Sequence, residues 1–526
     1  MNKSTDIFKS NYINNFVLLI YIVFPFAIVS GPAIPDILIS ITSIIIFFYL
    51  IYNYKRSNLL ENKLSLLLLF FWIYLIFSSS ISEFKFFSLK SSLLYLRFLF
   101  FLFIIFIIIN NKKIIKYHFI IFSFLLFFLF FDAGLQFMTG SNILNFKIIS
   151  NRASSFFLDE LILGNFIYTF YPLVFFFIFR KYKKYSTTTF VIFSISLIIP
   201  ILFTGERISL IKSLILIFIL GLFVVNLRYY FFLFLILMSF LFSIISLQPK
   251  LKDRFFDDFK SRITFNNDRN FFDSHWGGIY LTSFELFKQK YIFGIGPNNY
   301  RNKCDLNDIK KFKDYTDIGK LKYENEVSYI NLKRGKNLDL LFKNNLSVKE
   351  RNNYLLKNIY EKIIKNKKNY KTIFYLIDKN IYVEGYYDYQ NYLPYNYINQ
   401  RIFDNYISFD EYNKTINIDS DSWSVACSTH PHHFSLQLLT EIGIIGFILV
   451  IILAYYFIRY MYNEKNSENY IFIIIGMVYV FNTFNPFLTY ANLFNNNTNI
   501  FIWFFIVELL IIINFYKINN EYSKSE

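Results

Sequence analysis

The chain has 526 residues, of which 55% are hydrophobic, and it contains 70 Phe and 42 Tyr. Its apolar residues form long runs, such as 91–110 and 230–247, each able to cross a hydrocarbon core as a helix; this excludes a soluble enzyme, a disordered chain, a collagen and a disulfide-rich secreted module. Nucleic-acid binding would need the formal charge of +17 to form a basic soluble face, and no nucleic-acid partner is expected.

The apolar windows predict an all-α polytopic membrane protein with about twelve transmembrane helices. The first span has a polar flank and no cleavage site of small residues, which indicates a signal anchor rather than a removable signal peptide. The expected organisation is helices 1–9 in residues 1–248, a loop domain in 249–434 and helices 10–12 in 435–526. The predicted spans are 13–30, 36–53, 63–80, 91–110, 118–138, 162–179, 187–204, 207–225, 229–247, 435–458, 469–488 and 499–515.

Basic residues in the short loops predict the orientation. Alternate loops carry Lys and Arg clusters, among them 55–63, 112–116 and 180–184, and cytoplasmic loops are the ones enriched in these residues. Both termini are therefore expected in the cytoplasm. By the parity of the spans, the single large loop between helices 9 and 10 is expected to be extracytoplasmic; long loops cross membranes largely regardless of their charge.

The chain has two cysteines, Cys304 and Cys427, and both lie in the large loop. In an oxidising compartment such a pair can form a disulfide. That bond would tie together the two ends of the loop, whereas two unrelated thiols are the alternative.

Two clusters of charged residues lie in short loops at the predicted outer face. Arg152 and Glu160 stand where the chain re-enters the membrane before the sixth span, and ordinary interfacial anchoring is the alternative. Glu206 and Arg207 occupy the turn before the eighth span, with Lys212 further along that helix. Ionisable groups at such depth are functional candidates, although Glu206 and Arg207 could pair only with each other.

Two further clusters contain four of the five histidines of the chain. His275 stands near the start of the loop domain, where a surface histidine is the alternative. His430, His432 and His433 stand where the loop re-enters the membrane, with Glu441 about two turns further along the tenth span. Adjacent histidines suit a single zinc ion poorly, so the pattern favours proton transfer near neutral pH and no metal is expected.

Isolated charges also occur inside the predicted spans. Arg97 lies in the fourth span and Asp132 in the fifth, and each requires a partner or a wet cavity. The planar guanidinium of an arginine binds phosphate oxygens bidentately. Arg97 therefore suits an anionic ligand.

The order and spacing of these segments resemble the O-antigen ligase and O-antigen polymerase superfamily of bacterial inner-membrane glycosyltransferases. The resemblance covers most of the chain except roughly 306–420, which looks like an insertion. The matching segments are Asn151–Gly164, Thr204–Ile208, Trp276–Arg301, Ser428–Gly446, Asn485–Phe487 and Phe494–Asn496.

The resemblance implies a multi-pass enzyme of the inner membrane with a periplasmic loop domain and no cofactor or metal. Its members transfer a glycan from undecaprenyl-pyrophosphate, within the membrane lipid, to an acceptor. Ligation of O-antigen to lipid A–core is favoured, and polymerisation of repeat units on a growing glycan is the alternative. A flippase or transporter of lipid-linked oligosaccharides is the alternative from another class.

The resemblance also implies roles for individual residues. His432 matches the family's essential histidine and Arg207 its phosphate-binding arginine, while His433 stands where the family usually has Asn. The family's second arginine has no clear counterpart, and His275 or Arg269 could take that role. The expected catalytic residues are His432, Glu441 and His430. The residues expected to bind the pyrophosphate or glycan are Arg207, Arg152, His275, Arg97, Glu160 and Glu206.

Overall fold

A computed structural model gives the structure of the protein. It describes residues 11–52, 63–109, 111–149, 151–158, 160–179, 186–225, 227–257, 275–303, 430–465 and 469–524. Over these ranges the chain is helical, with two isolated β-bridges and no strand. The all-α class predicted from the sequence is therefore confirmed for the described residues.

Within the described ranges, twelve apolar helices form the bundle. Ten of them are long and apolar enough to cross a membrane, and the sixth and eleventh in chain order are shorter. This confirms a multi-pass membrane protein, while the total of twelve spans stays a prediction. The helices are α1 (Asn11–Val29), α2 (Ala33–Tyr52), α3 (Lys63–Ser80), α4 (Lys85–Leu102), α5 (Lys112–Thr139), α6 (Leu163–Phe179), α7 (Ser186–Thr204), α8 (Arg207–Val224), α9 (Leu227–Leu247), α10 (Phe434–Asn463), α11 (Tyr470–Phe484) and α12 (Asn496–Lys524).

Several helices extend beyond the predicted spans. The fourth begins at Lys85 rather than at 91, the fifth at Lys112 rather than at 118, and the tenth ends at Asn463 rather than at 458. Hydropathy detects only the apolar part of a helix. The backbone hydrogen bonds continue into the polar ends, where water can solvate the side chains.

The helix α12 lies at the centre of the bundle and α9 at its periphery. In the apolar window of α12, 78% of the residues are buried, against 17% for α9. Phenylalanine rings pack around α12: Phe504 lies 5.5 Å from Phe170 and 6.3 Å from Phe122, centroid to centroid. Since lipid supplies little hydrophobic drive between helices, such close packing is what holds a membrane bundle together.

One end of the bundle gathers the loops that follow α1, α3, α5, α7, α9 and α11, and we call it the site end. Arg97 of α4 contacts the first turn of α2 and the first residue of α12. Arg152, in the loop after α5, donates to the last residue of α7. Arg207, which begins α8, donates to Arg254 beyond α9. These contacts place the polar clusters of the first unit at one end.

The chain divides into two compact units. The first contains the bundle and comprises 1–261, 292–298 and 432–526. The second comprises 262–291 and 299–431, and its described part includes the helix His275–Gln289. The insertion at 306–420 and both cysteines, Cys304 and Cys427, lie outside the described residues, so the disulfide stays a prediction.

Candidate functional site

Left-handed backbone is concentrated at the site end. Such a conformation costs a non-glycine residue about 1–3 kcal/mol and persists only where the surroundings hold it. In the part of the chain that the structure describes, each non-glycine residue with positive φ lies in a loop of the site end. They are Asn145, Asn151, Ser155, Leu158, Asn298 and His432.

Two side chains of α5 fix the loop that carries Arg152. The Asp132 carboxylate, buried in α5, accepts a hydrogen bond from the Ser155 hydroxyl and another from the Ile143 N–H at 3.0 Å. The side-chain oxygen of Gln136, Oε1, accepts hydrogen bonds from the N–H groups of Ser154 and Ser155 at 2.9 and 2.7 Å. The intramembrane charge of Asp132 is therefore partnered within this loop.

Glu206 is held by the start of α6. Its carboxylate accepts hydrogen bonds from the N–H groups of Gly164 (2.8 Å) and Asn165 (3.0 Å) and from the Ser209 hydroxyl (2.8 Å). Burial raises the pKa of the Glu206 carboxyl, while the Arg152 guanidinium, 3.8 Å away, and these donors oppose the rise. Glu206 thus caps the α6 N-terminus, where a carboxylate also complements the helix dipole.

Arg152 and Arg207 donate to backbone carbonyls. Arg152 donates from Nε to Thr204 at 3.3 Å and from Nη2 to Leu161 at 3.0 Å. Arg207 donates from Nε and Nη2 to the single carbonyl of Arg254, at 3.0 and 2.7 Å. A phosphate oxygen is a stronger, charged acceptor than these carbonyls. Both guanidinium groups are positioned by partners that an anionic ligand could replace.

Arg97 and Glu160 meet successive asparagines at the start of α12. Arg97 Nη2 lies 2.7 Å from Asp36 Oδ1 and donates to Asn496 Oδ1 at 2.9 Å. Asn497 donates to Glu160 Oε2 at 2.9 Å. The charge of Arg97 is therefore neutralised by Asp36, and the asparagines bring Arg97 and Glu160 to the same helix end.

His432 combines strained backbone with a half-buried ring. Its φ is +54°, and its carbonyl accepts a hydrogen bond from the Tyr490 N–H at 2.8 Å. Burial lowers the pKa of the His432 imidazole to about 4. The ring is therefore neutral at pH 7 and can accept a proton.

His433 has a different environment. It precedes α10, and its Nδ1 accepts a hydrogen bond from the Leu436 N–H at 3.2 Å. Its Nε2 lies 3.0 Å from the Pro486 carbonyl. Since Nδ1 accepts, the proton must be on Nε2, which donates to Pro486. His433 therefore caps α10, the task that an Asn performs at such a position.

Glu441 lies in a polar network inside α10. It is 1% exposed, and its Oε2 accepts a hydrogen bond from Gln437 Nε2 at 2.9 Å. The same nitrogen lies 2.7 Å from Asn492 Oδ1, and Gln437 Oε1 accepts from the Leu493 N–H at 2.9 Å. Gln437 thus ties Glu441 to the loop after α11.

A backbone segment of the first unit is inserted into α10. The helix breaks at Gly443, where φ is +68° and ψ is −175°. The inserted segment, 292–298, fills the break. The Ile295 N–H donates to the Thr440 carbonyl at 3.0 Å, and the Gly296 N–H donates to the Glu441 carbonyl at 2.8 Å. The carbonyls freed by the break are thereby satisfied, as buried backbone within a membrane requires.

Two glycines allow this insertion. A Cβ added at Gly443 would lie 2.3 Å from the Ile292 carbonyl oxygen, and one added at Gly294 would lie 2.4 Å from the Glu441 carbonyl oxygen. Both obstacles are backbone atoms, which cannot rotate aside. Gly294 belongs to the sequence Gly-Ile-Gly at 294–296, which lies at this contact.

Tyr490 joins α8 to His432. The ammonium of Lys212, on α8, lies 4.9 Å from the centroid of the Tyr490 ring, and the Tyr490 N–H donates to His432. The helix that begins with Arg207 and the strained histidine therefore meet at one residue. The sequence offers no signal for Tyr490, which is one of 42 tyrosines; only its position before the last span could have drawn attention to it.

The remaining predicted residues belong to the second unit. His430 is 8% exposed, and His275 begins a helix while its side chain lies outside the described residues. Within the described ranges, no three His, Cys, Asp or Glu side chains form a group that could hold a metal ion. Metal-independence stays a prediction.

A second group of buried ionisable residues lies within the helices, and we call it the inner cluster: Tyr21, His118 and Glu508. Glu508 Oε1 lies 3.1 Å from His118 Nε2, and its Oε2 accepts from the Tyr21 hydroxyl at 3.2 Å. The Tyr21 and His118 rings stack at 3.9 Å. This cluster is not among the sites predicted from the sequence; the signal that could have found it is Glu508, a carboxylate inside an apolar span.

The chain was also compared with known proteins. No family model matches it, and no curated protein matches it.

Proposed function

We propose that the protein is a metal-independent glycosyltransferase that moves a glycan from a polyprenyl-pyrophosphate carrier to an acceptor at the site end. The observation that carries this proposal is the meeting of the Arg207 helix, α8, with the strained, neutral His432 around Tyr490. Strained backbone held by its surroundings is typical of functional sites. A neutral imidazole at the same end of the bundle as fixed cations suits proton transfer coupled to the departure of an anion.

The chemistry needs little beyond these groups. The acceptor hydroxyl oxygen attacks the anomeric carbon, the bond from that carbon to the phosphate oxygen breaks, and the pyrophosphate leaves with the carrier. His432 takes the hydroxyl proton. Arg207 and Arg152 stabilise the charge that develops on the leaving group. Glu441 accepts a hydrogen bond from Gln437 and helps to position α10.

The sequence resemblance supports the finer parts of the proposal. In that reading the protein lies in a bacterial inner membrane, with its termini in the cytoplasm and its site end facing the periplasm. The donor is undecaprenyl-pyrophosphate-linked glycan and the favoured acceptor is lipid A–core. A growing glycan, and hence polymerisation, remains the alternative.

The direct test is transfer by purified protein in proteoliposomes supplied with carrier-linked glycan and acceptor. We expect product from the wild type and none from His432→Ala or Arg207→Ala. Arg459→Ala, at an exposed position near the other end of α10, is the matched control and should be active. Movement of the glycan across the bilayer without a new bond would show a flippase instead.

A deletion strain separates ligase from polymerase. Loss of all capped lipid A–core, with glycan accumulating on the carrier, would identify a ligase. A single repeat unit left on lipid A–core would identify a polymerase. An unchanged lipopolysaccharide pattern would contradict both.

A further inference from the structure

Lys212 is a buried cation without an oxygen partner. It is 5% exposed, and its ammonium lies 4.9 Å from the Tyr490 ring and 5.8 Å from the Tyr168 ring. Within the described part of the chain, this ammonium makes no hydrogen bond and no ion pair. A cation at such a depth is costly unless something pairs with it, and the two rings provide only partial compensation.

The arginines of the site end differ from Lys212 in this respect. Arg97 has Asp36 as a partner, and Arg152 and Arg207 donate to backbone carbonyls. Glu206 is the carboxylate whose charge acts on Lys212, yet its oxygens already accept three hydrogen bonds. Lys212 is therefore the cation best able to accept an incoming anion without breaking an existing contact.

Asn482 adds a second unsatisfied group beside Lys212. Its Nδ2 donates to the Tyr168 hydroxyl at 2.8 Å and to the Lys212 carbonyl at 3.3 Å. Two acceptors for the same atom fix the orientation of the amide. The Asn482 Oδ1 atom is buried and has no hydrogen-bond partner, which is uncommon for a buried polar atom.

These two groups have complementary requirements. The Lys212 ammonium needs a negatively charged oxygen, and the Asn482 oxygen needs a hydroxyl or N–H donor. A phosphate ester with a hydroxyl group close by supplies both. A sugar phosphate has this chemistry, and so does the glycerol phosphate headgroup of a lipid.

We propose that Lys212 and Asn482 form the subsite for the sugar-phosphate linkage of the donor. Lys212 binds a phosphate oxygen, and Asn482 accepts a hydrogen bond from a hydroxyl of the first sugar. Tyr490 contacts both Lys212 and the His432 backbone, so the subsite and the proposed base share this neighbour. The inference rests on the proposed function and names the residues that hold its substrate.

The test is binding of three ligands to the purified full-length protein in nanodiscs. The ligands are undecaprenyl-pyrophosphate-linked sugar, undecaprenyl pyrophosphate alone, and phosphatidylglycerol. Lys212→Met should weaken the binding of both pyrophosphate ligands about 10- to 100-fold, the effect of losing one charged hydrogen bond. Asn482→Leu should weaken only the sugar-bearing ligand, by about tenfold.

Lys250→Met is the matched control. Lys250 also lies over a ring, that of Phe137, but it has an oxygen partner in the Phe137 carbonyl at 3.0 Å; this variant should bind all three ligands like the wild type. Without ligand, Lys212→Met should melt no lower than the wild type, because an uncompensated charge is removed. A lower melting temperature would indicate a structural role.

Each contrary outcome is decisive. Unchanged binding by Lys212→Met would overturn the subsite, and an equal loss of phosphatidylglycerol would assign it to a lipid headgroup. If Asn482→Leu weakens the binding of both pyrophosphate ligands equally, Asn482 does not bind the sugar. Expected binding without transfer would overturn the proposed function and leave the subsite standing, whereas transfer with unchanged binding would do the reverse.

Discussion

The site end and the inner cluster both bury ionisable side chains, but by different means. In the inner cluster the three side chains lie against one another and are 0–2% exposed. Tyr21 donates to Glu508, and His118 Nε2 lies 3.1 Å from Glu508 Oε1 without forming a hydrogen bond. At the site end, the arginines and Glu206 bond largely to backbone groups of loops and helix ends.

The difference indicates which region awaits a ligand. The inner cluster stands on regular helices, and both ring nitrogens of His118 are buried there without a hydrogen-bond partner among the described residues. The site end differs from it in having left-handed backbone and a broken helix. Its unsatisfied groups include the Asn482 oxygen. The segment 292–298 fills the break in α10. Binding at the site end is therefore expected at buried polar groups that protein leaves unsatisfied, such as the Asn482 oxygen.

The largest effect is expected where the site end depends on backbone. Gly443→Ala places a Cβ 2.3 Å from a carbonyl oxygen and requires positive φ, which should cost at least about 3 kcal/mol. Thermal melting of the protein in detergent would measure it. Gly134→Ala is the control, because its Cβ would lie 3.4 Å from the Phe203 ring, an ordinary contact. Equal melting of the two variants would contradict the inserted-segment account.

The inner cluster should respond next most strongly. Glu508→Leu leaves Tyr21 buried without its acceptor and His118 without the neighbouring carboxylate, a loss of about 3 kcal/mol. Replacing the pair together, with His118→Phe and Glu508→Leu, should recover most of that loss. Unfolding measurements on Glu508→Leu, on His118→Phe and on the double variant form a double-mutant cycle. The double variant should also transfer glycan; a folded but inactive double variant would mean that the inner cluster takes part in the mechanism.

A smaller effect is expected at the α10 cap. In His433→Asn the side-chain oxygen stands where Nδ1 does, one bond from Cγ, so the cap is preserved. His433→Ala removes the cap and should cost about 1 kcal/mol. The melting temperatures of the two variants test whether His433 caps α10. Equal destabilisation by Asn and Ala would show that His433 does not act as a cap.

The smallest change is expected with pH. Transfer requires neutral His432, whose pKa is about 4, so kcat/KM should be flat from about pH 5 to 8 and fall as the pH drops through that pKa. Bound pyrophosphate favours the imidazolium and raises the pKa, so kcat should begin to fall at a higher pH than kcat/KM. A kcat/KM profile that already falls near pH 6.5 would contradict a buried base.

The sequence predicted the bundle well because hydropathy reports directly on what lipid requires of a helix. It also identified Arg207, His432 and Glu441, since a polar side chain stands out in an apolar run. The orientation of the bundle and the roles of these residues stay predictions.

The sequence could not predict features that depend on distant partners. The break at Gly443 exists because the segment 292–298 enters it, and no local pattern links the two. Tyr490 and Asn482 have ordinary side chains made important by their neighbours. His118 stands at the edge of a predicted span, where a histidine is unremarked until Glu508 packs against it.

The central claim is that cations on and beside α8 hold the donor while His432 removes the acceptor proton. The most direct measurement is donor binding and single-turnover transfer by the same purified His432→Ala and Arg207→Ala proteins. We predict that His432→Ala binds carrier-linked glycan like the wild type and forms no product, whereas Arg207→Ala binds it about 10- to 100-fold more weakly. Transfer at the wild-type rate by His432→Ala would contradict the account.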